Sequence, residues 1–100
     1  MKTVSIRPVH PGEVLQDDFL VPLNLSATAL ARALRVPVTH IHDIINERRA
    51  LSANMAIRLA RFVSTSGELW MNLQVSHDLQ KARIESGECI ARDVRPLKVA

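Results

Sequence analysis

Leu30-Ala31-Arg32-Ala33-Leu34-Arg35-Val36-Pro37-Val38-Thr39-His40-Ile41-His42-Asp43-Ile44-Ile45-Asn46 is the stretch that decides the fold. Just ahead of it, Ser26 is a helix N-cap candidate, because a serine hydroxyl accepts one of the backbone N–H groups left open in a first turn. Ala27, Leu30, Ala31 and Leu34 then follow at helical spacing. Arg35-Val36-Pro37 interrupts the helix, since proline has no N–H and clashes with the preceding turn. Beyond the break, Ile41, Ile44 and Ile45 mark one apolar face of a second helix, from about Pro37 or Val38 to Asn46. Two short helices across a tight break are the pattern of a DNA reader. A major groove about 12 Å wide admits one helix, and a second must brace it against the backbone. Leu30, Ala31, Val36, Ile41 and Ile44 form the expected apolar joint.

If the isoleucines point inward, the 3.6-residue period turns Val38, Thr39, His42 and Asp43 outward, with His40 on the flank. Thr39 and His42 can hydrogen-bond base edges, Val38 can pack on a thymine methyl, and Asp43 can accept from a cytosine amino group. Arg48 and Arg49, just past the helix, are placed to clamp phosphates. The plain alternative is a helical hairpin with a solvated polar face. Charge placement favours the DNA reading. The formal net charge is +3, but residues 26–61 carry six arginines against two carboxylates, a net +4. Residues 1–25 are −1 and residues 62–100 are neutral. Phosphate contacts need the excess where the candidate reading helices are.

The rest of the chain reads as three further helices. His10-Pro11-Gly12-Glu13 opens the first, with proline at a position where its missing N–H costs nothing. Val14, Leu15 and Phe19 face inward, and Pro22 ends the element. Ser52 caps the fourth helix, which is expected to bury Met55, Leu59, Phe62 and Val63. Thr65-Ser66-Gly67-Glu68 has capping-box spacing and starts a long helix with Leu69, Trp70, Leu73 and His77 as its apolar stripe. Gly87 is the expected stop. Thr3–Ile6 and Arg92–Val99 alternate roughly with period 2 and read as short edge strands or loose arms. The expected organisation is an N-terminal arm over 1–9, an all-α five-helix domain over 10–86 and a tail over 87–100.

One hundred residues with 47% apolar content make a single small domain with a modest core, for which dimerisation is an expected source of stability. Phe19, Phe62 and Trp70 are the only aromatic residues, so that core is aliphatic. The lone Cys89 excludes an internal disulfide and a cysteine-based zinc cluster and fits a cytoplasmic setting. No apolar run approaches the roughly 18 residues of a membrane span. His40 and His42 stand two apart and do not share a helix face, and His10 and His77 have no cluster of convincing metal spacing. Asp17 and Asp18 diverge on a helix and read as a solvated face. Trp70 reads as a core anchor. No nucleophilic triad or phosphate loop is present, so no enzymatic activity, metal or cofactor is expected.

Residues 30–46 resemble the Cro/repressor-type (XRE) helix-turn-helix, a lambda repressor-like fold. More narrowly, residues 8–82 resemble HigA-type antitoxins. Three segments flank the helix-turn-helix in the same order: His10-Pro11-Gly12-Glu13, Met55-Ala56-Ile57-Arg58-Leu59-Ala60-Arg61, and Trp70-Met71-Asn72-Leu73-Gln74 with His77-Asp78-Leu79. The resemblance implies a homodimer on a palindromic double-stranded operator, repressing its own operon and neutralising a HigB-type mRNA-cleaving toxin. On this reading the DNA-facing residues are Ser26, Pro37, Val38, Thr39, His40, His42, Asp43, Asn46, Arg48 and Arg49. Four departures stand out. Arg35 replaces the usual turn glycine. Ala27 replaces a phosphate-contacting glutamine. Pro37 replaces a hydroxyl cap, and Glu47 interrupts the usual Asn-Gly-Arg. A protein-interaction module with incidental DNA affinity and a regulator without a toxin are the alternative functions.

Overall fold

The structure is a computed structural model that describes residues 7–98. All regular structure among them is helical. Helix α1 (Pro11–Val14) continues without a break into a π-helical segment (Leu15–Leu20). Helices α2 (Ala27–Leu34), α3 (Val38–Ile45), α4 (Ala53–Val63) and α5 (Gly67–Asp93) follow. The expected strand or arm at Thr3–Ile6 lies outside the described residues. Residues 94–98, within the other candidate strand, have no regular structure. No helix is long and apolar enough to cross a membrane among the described residues.

Serine hydroxyls cap three helices. Ser26 Oγ accepts from Ala29 N–H, Ser52 Oγ from Met55 N–H and Ser66 Oγ from Leu69 N–H. The cap of α5 is thus Ser66, not the Thr65 of the expected capping box. Thr65 Oγ1 instead accepts from Trp70 Nε1 at 2.8 Å, which satisfies the one polar atom of an otherwise fully buried indole. The α1 cap is a histidine, whose Nδ1 accepts from Gly12 N–H at 2.9 Å.

Four turns close alike. Asn24, Arg35, Glu47 and Ser64 have φ between 51° and 61°. The residue after each donates its N–H to a carbonyl five positions back: Leu25 to Leu20, Val36 to Ala31, Arg48 to Asp43 and Thr65 to Ala60. This left-handed closure satisfies the otherwise open carbonyls of a helix end and favours glycine. Here non-glycine residues fill all four places. Arg35 therefore keeps the turn geometry at φ 61°, ψ 45° rather than altering it. Glu47 occupies the left-handed position in Asn46-Glu47-Arg48, which explains physically why glycine suits that place.

The core is Leu15, Leu20, Leu30, Ala31, Leu34, Ile41, Ile44, Leu51, Met55, Ala56, Leu59 and Trp70. It is aliphatic apart from Trp70. Phe19 packs half-buried against it, with ring centroids 5.4 Å apart. Two expected core residues are not buried. Phe62 is 45% exposed and Leu69 42%. Phe62 lies seven residues from Met55 on the inner side of α4 but borders two open grooves near the end of that helix, whereas Leu69 points away from the buried Trp70 and Gln74 of α5. Gln74 is buried because Leu51 N–H needs an acceptor. Its Oε1 takes that proton at 2.6 Å, and its Nε2 donates to Asp78.

Gly87 does not end α5. It has no positive φ, and the helix runs on to Asp93. From Lys81 onward nearly every side chain is exposed, so this half of the helix projects from the body. The Cα radius of gyration is 16.6 Å, against about 13 Å for a compact 100-residue chain.

Candidate nucleic-acid interface

Helix α3 is fixed from behind. Ile41 and Ile44 are fully buried against α2 and the core. Gly12 adds a second hold, because a Cβ there would lie 1.9 Å from the Ile44 carbonyl oxygen. The start of α1 therefore seats directly on the backbone at the end of α3. His10 stands beside this contact. It is buried, its ring meets that of His77 edge-on at 4.8 Å, and burial first and His77 second push its pKa below the usual histidine value. The neutral ring keeps Nδ1 free to accept from Gly12.

With its inner face held, α3 turns Thr39 and His42 to solvent, with Asn46 exposed just after its end. Val38, His40, Asp43 and Ile45 are half-buried at its edges. Pro37 is the N-cap and supplies no side-chain hydrogen bond, so the first turn of α3 has no side-chain cap. Arg48 and Arg49 follow on the exposed surface and lean back over the helix. Their Nε atoms lie 3.7 and 3.9 Å from the Asp43 carboxylate. Arg49 Nη1 lies 3.3 Å from His40 Nε2. Burial and the Arg49 charge hold the His40 pKa down. Val38, Thr39, His40, His42, Asp43, Asn46, Arg48 and Arg49 thus belong to one helix and the turn after it. Ser26 stands across a cleft from them, its hydroxyl already engaged as the α2 cap.

That cleft has a volume of about 460 Å³ and is lined by Gln16, Asn24, Ser26 and Ala27 on one side and His42 and Ile45 on the other. Sequence reading passed over Gln16 and Asn24. They lie ten and two residues before the α2 cap, and only the packing of the π-helical segment brings them to α3.

The structure also divides the +4 of residues 26–61. Asp43, Glu47, Arg48 and Arg49 make a neutral corner at the end of α3. The surplus is Arg32, Arg35, Arg58 and Arg61, on α2, its closing turn and α4. Arg58 is turned inward, with Nη1 donating to the Leu34 carbonyl at 2.7 Å and Nε to Asn54 Oδ1. It closes the end of α2 and braces the turn before α3.

Comparison with known proteins places this arrangement in a family. The helix-turn-helix family model matches residues 18–70. Antitoxin HigA-1 of Vibrio cholerae is 36% identical over 100 residues, spanning all of this chain and 93% of its own length. The structure of Pseudomonas aeruginosa antitoxin HigA with its higBA promoter superposes with a TM-score of 0.88 at 47% identity, covering 92% of this chain and 100% of that one. Antitoxin GraA in complex with its operator gives 0.89 at 39% identity, covering 99% and 100%. The chain therefore belongs to the Cro/repressor-type helix-turn-helix family, and within it to the HigA-type antitoxins.

Proposed function

We propose that this chain is an antitoxin that represses its own operon from a palindromic operator as a homodimer and neutralises a HigB-type mRNA-cleaving toxin in the cytoplasm. The observation that carries the DNA reading is the two-sided α3, with Ile41 and Ile44 fully buried and Thr39 and His42 facing out. Two solved relatives, each at least 39% identical, were captured with promoter or operator DNA. Thr39, His42 and Val38 read bases, and Asn46, Arg48 and Arg49 set register on phosphates. The dimer reading is supported by an unpartnered stripe along α5, where Val75, Leu79 and Ile90 are each about half exposed on one face.

The test is operator binding as a function of salt. Arg48→Ala and Arg49→Ala should each weaken binding to all sequences and flatten the salt slope by about 1. Arg58→Ala, which loses the Leu34 contact, should lower stability without that change in slope. Unchanged slopes for both Arg48→Ala and Arg49→Ala refute the phosphate assignment. A second reading, an interaction module with incidental DNA affinity, is favoured by one observation: Asp43 draws both arginines back over the helix. Footprinting upstream of the gene separates the two. No protection at physiological salt with tight toxin binding retained favours the module.

A further inference from the structure

Two features of the molecule have no part in the DNA face: the acidic pair Asp17-Asp18 and the exposed ring of Phe62. Asp18 and Phe62 border one groove. Between the π-helical segment and α4 lies an open groove of about 500 Å³, lined by Asp18, Phe19, Leu23, Leu25, Phe62 and Val63. Its floor is Phe19, whose ring packs tilted at 46° and 5.4 Å against Trp70, which is fully buried. Its walls include Leu23, 62% exposed, and Phe62, 45% exposed. Its rim is acidic. The carboxylate that lines it is Asp18, which has no ion-pair partner among the described residues; Asp17, adjacent in the chain, adds negative charge nearby without lining the groove. Phe62 also lines a second notch, with Ala33, Leu34, Arg58 and Arg61, so the Asp18 carboxylate borders one of its two cavities and the two guanidiniums the other.

Resting on the antitoxin reading above, we propose that this groove is the toxin-docking surface, and that it seats an apolar side chain presented from a basic patch of the toxin. A protein that cleaves RNA must gather a polyanion, so its surface carries lysine and arginine. An acidic rim complements that charge and steers the encounter, while burial of an apolar anchor against Phe19, Leu23 and Phe62 supplies affinity. The groove shares no residue with the DNA-facing set, so the two binding activities separate by mutation.

The experiment titrates a catalytically inactive form of the cognate HigB-type toxin that the antitoxin reading requires into the full-length protein. Four forms are compared: the unaltered chain, Phe62→Lys, Leu23→Lys and the double variant Asp17→Asn/Asp18→Asn. Operator affinity and thermal unfolding are measured on each. Leu23 lies on the exposed wall and keeps the test open if Phe62→Lys fails to fold. Loss of a central apolar anchor should weaken toxin binding about tenfold or more. The double variant should weaken it less and reduce its dependence on salt, with operator binding unchanged. Toxin binding unaltered in all variants overturns the assignment alone. A change in oligomeric state with toxin binding intact also overturns it, because the groove then seats a second copy of the chain. Failure of the unaltered chain to bind the toxin overturns the antitoxin reading, and this assignment with it.

Discussion

Gly12→Ala tests how α3 is held. A Cβ built at Gly12 lies 1.9 Å from the Ile44 carbonyl oxygen and 2.8 Å from its carbon. Close C···O contacts settle at about 3.3–3.6 Å, so α1 and α3 must part by more than an ångström. Both atoms are backbone, and no side-chain rotation relieves the clash. Sliding α1 away would pull the His10 ring off His77 and uncover Pro11, which is buried. Overpacking of this kind costs up to about 3 kcal/mol, and alanine recovers at most about 1 kcal/mol of helix propensity. The net loss is about 2 kcal/mol, which lowers Tm by about 8–16 °C in a domain of this size. Thermal unfolding followed by circular dichroism reads the shift, and operator affinity should fall with it because Ile44 anchors α3. Gly87→Ala is the matched control. There a Cβ meets nothing nearer than Arg83 Cβ at 3.9 Å, and the propensity gain stands alone. A Gly12→Ala protein that melts at or above the native temperature would refute the close approach of α1 to α3.

Three further outcomes are expected. His10 has a depressed pKa in the fold, through burial and the facing His77, with Lys81 acting the same way and Glu47 and Asp78 opposing. Its contribution is therefore full above the unfolded value near 6.5 and is lost as pH falls from there toward the lower folded value. His10→Asn keeps an N-cap acceptor, so denaturant unfolding at pH 7.5 and 5.5 should show a smaller stability difference than in the native chain, and an undiminished difference counts against His10 as its source. Gln74→Leu leaves the buried Leu51 N–H without its acceptor and should cost about 1–3 kcal/mol in urea unfolding; no loss would mean that Leu51 finds another partner. Arg35→Gly relieves a left-handed arginine worth about 1–2 kcal/mol, less the backbone entropy of glycine, for a net gain of up to about 1 kcal/mol. A stability loss greater than that of Arg35→Ala would contradict the left-handed turn.

The helices were legible from local chemistry. Ser26 and Ser52 cap where their hydroxyls precede apolar periodicity. Ile41 and Ile44 mark the inner face of α3 by spacing alone, and the outward set from Val38 to Arg49 follows from that face. Misreadings arose where two local signals competed. Thr65 and Ser66 both offered a hydroxyl to α5, and Trp70 decided the matter by taking Thr65 for its indole N–H. Gly87 was expected to stop α5, yet a glycine stops a helix only when the chain needs a left-handed residue there, and here it continues. Phe62 was expected inside because it continues the Met55–Leu59 spacing, yet open grooves beside it near the end of α4 leave its ring exposed.

The sequence by itself determined the five helices, the order of the helix-turn-helix, the exposed face of α3 and the family. The family follows from the resemblance of whole motifs; the other three depend on caps, breaks and periods that act within about one or two turns of chain. Tertiary structure decided what meets across the chain. It set Gly12 on Ile44, Gln74 on Leu51, Arg58 on Leu34 and Asp18 beside Phe62. Partners 23 to 44 residues apart leave no periodic trace. Their pairing follows from which buried polar groups need partners and which backbones can approach, and only the packed core settles both.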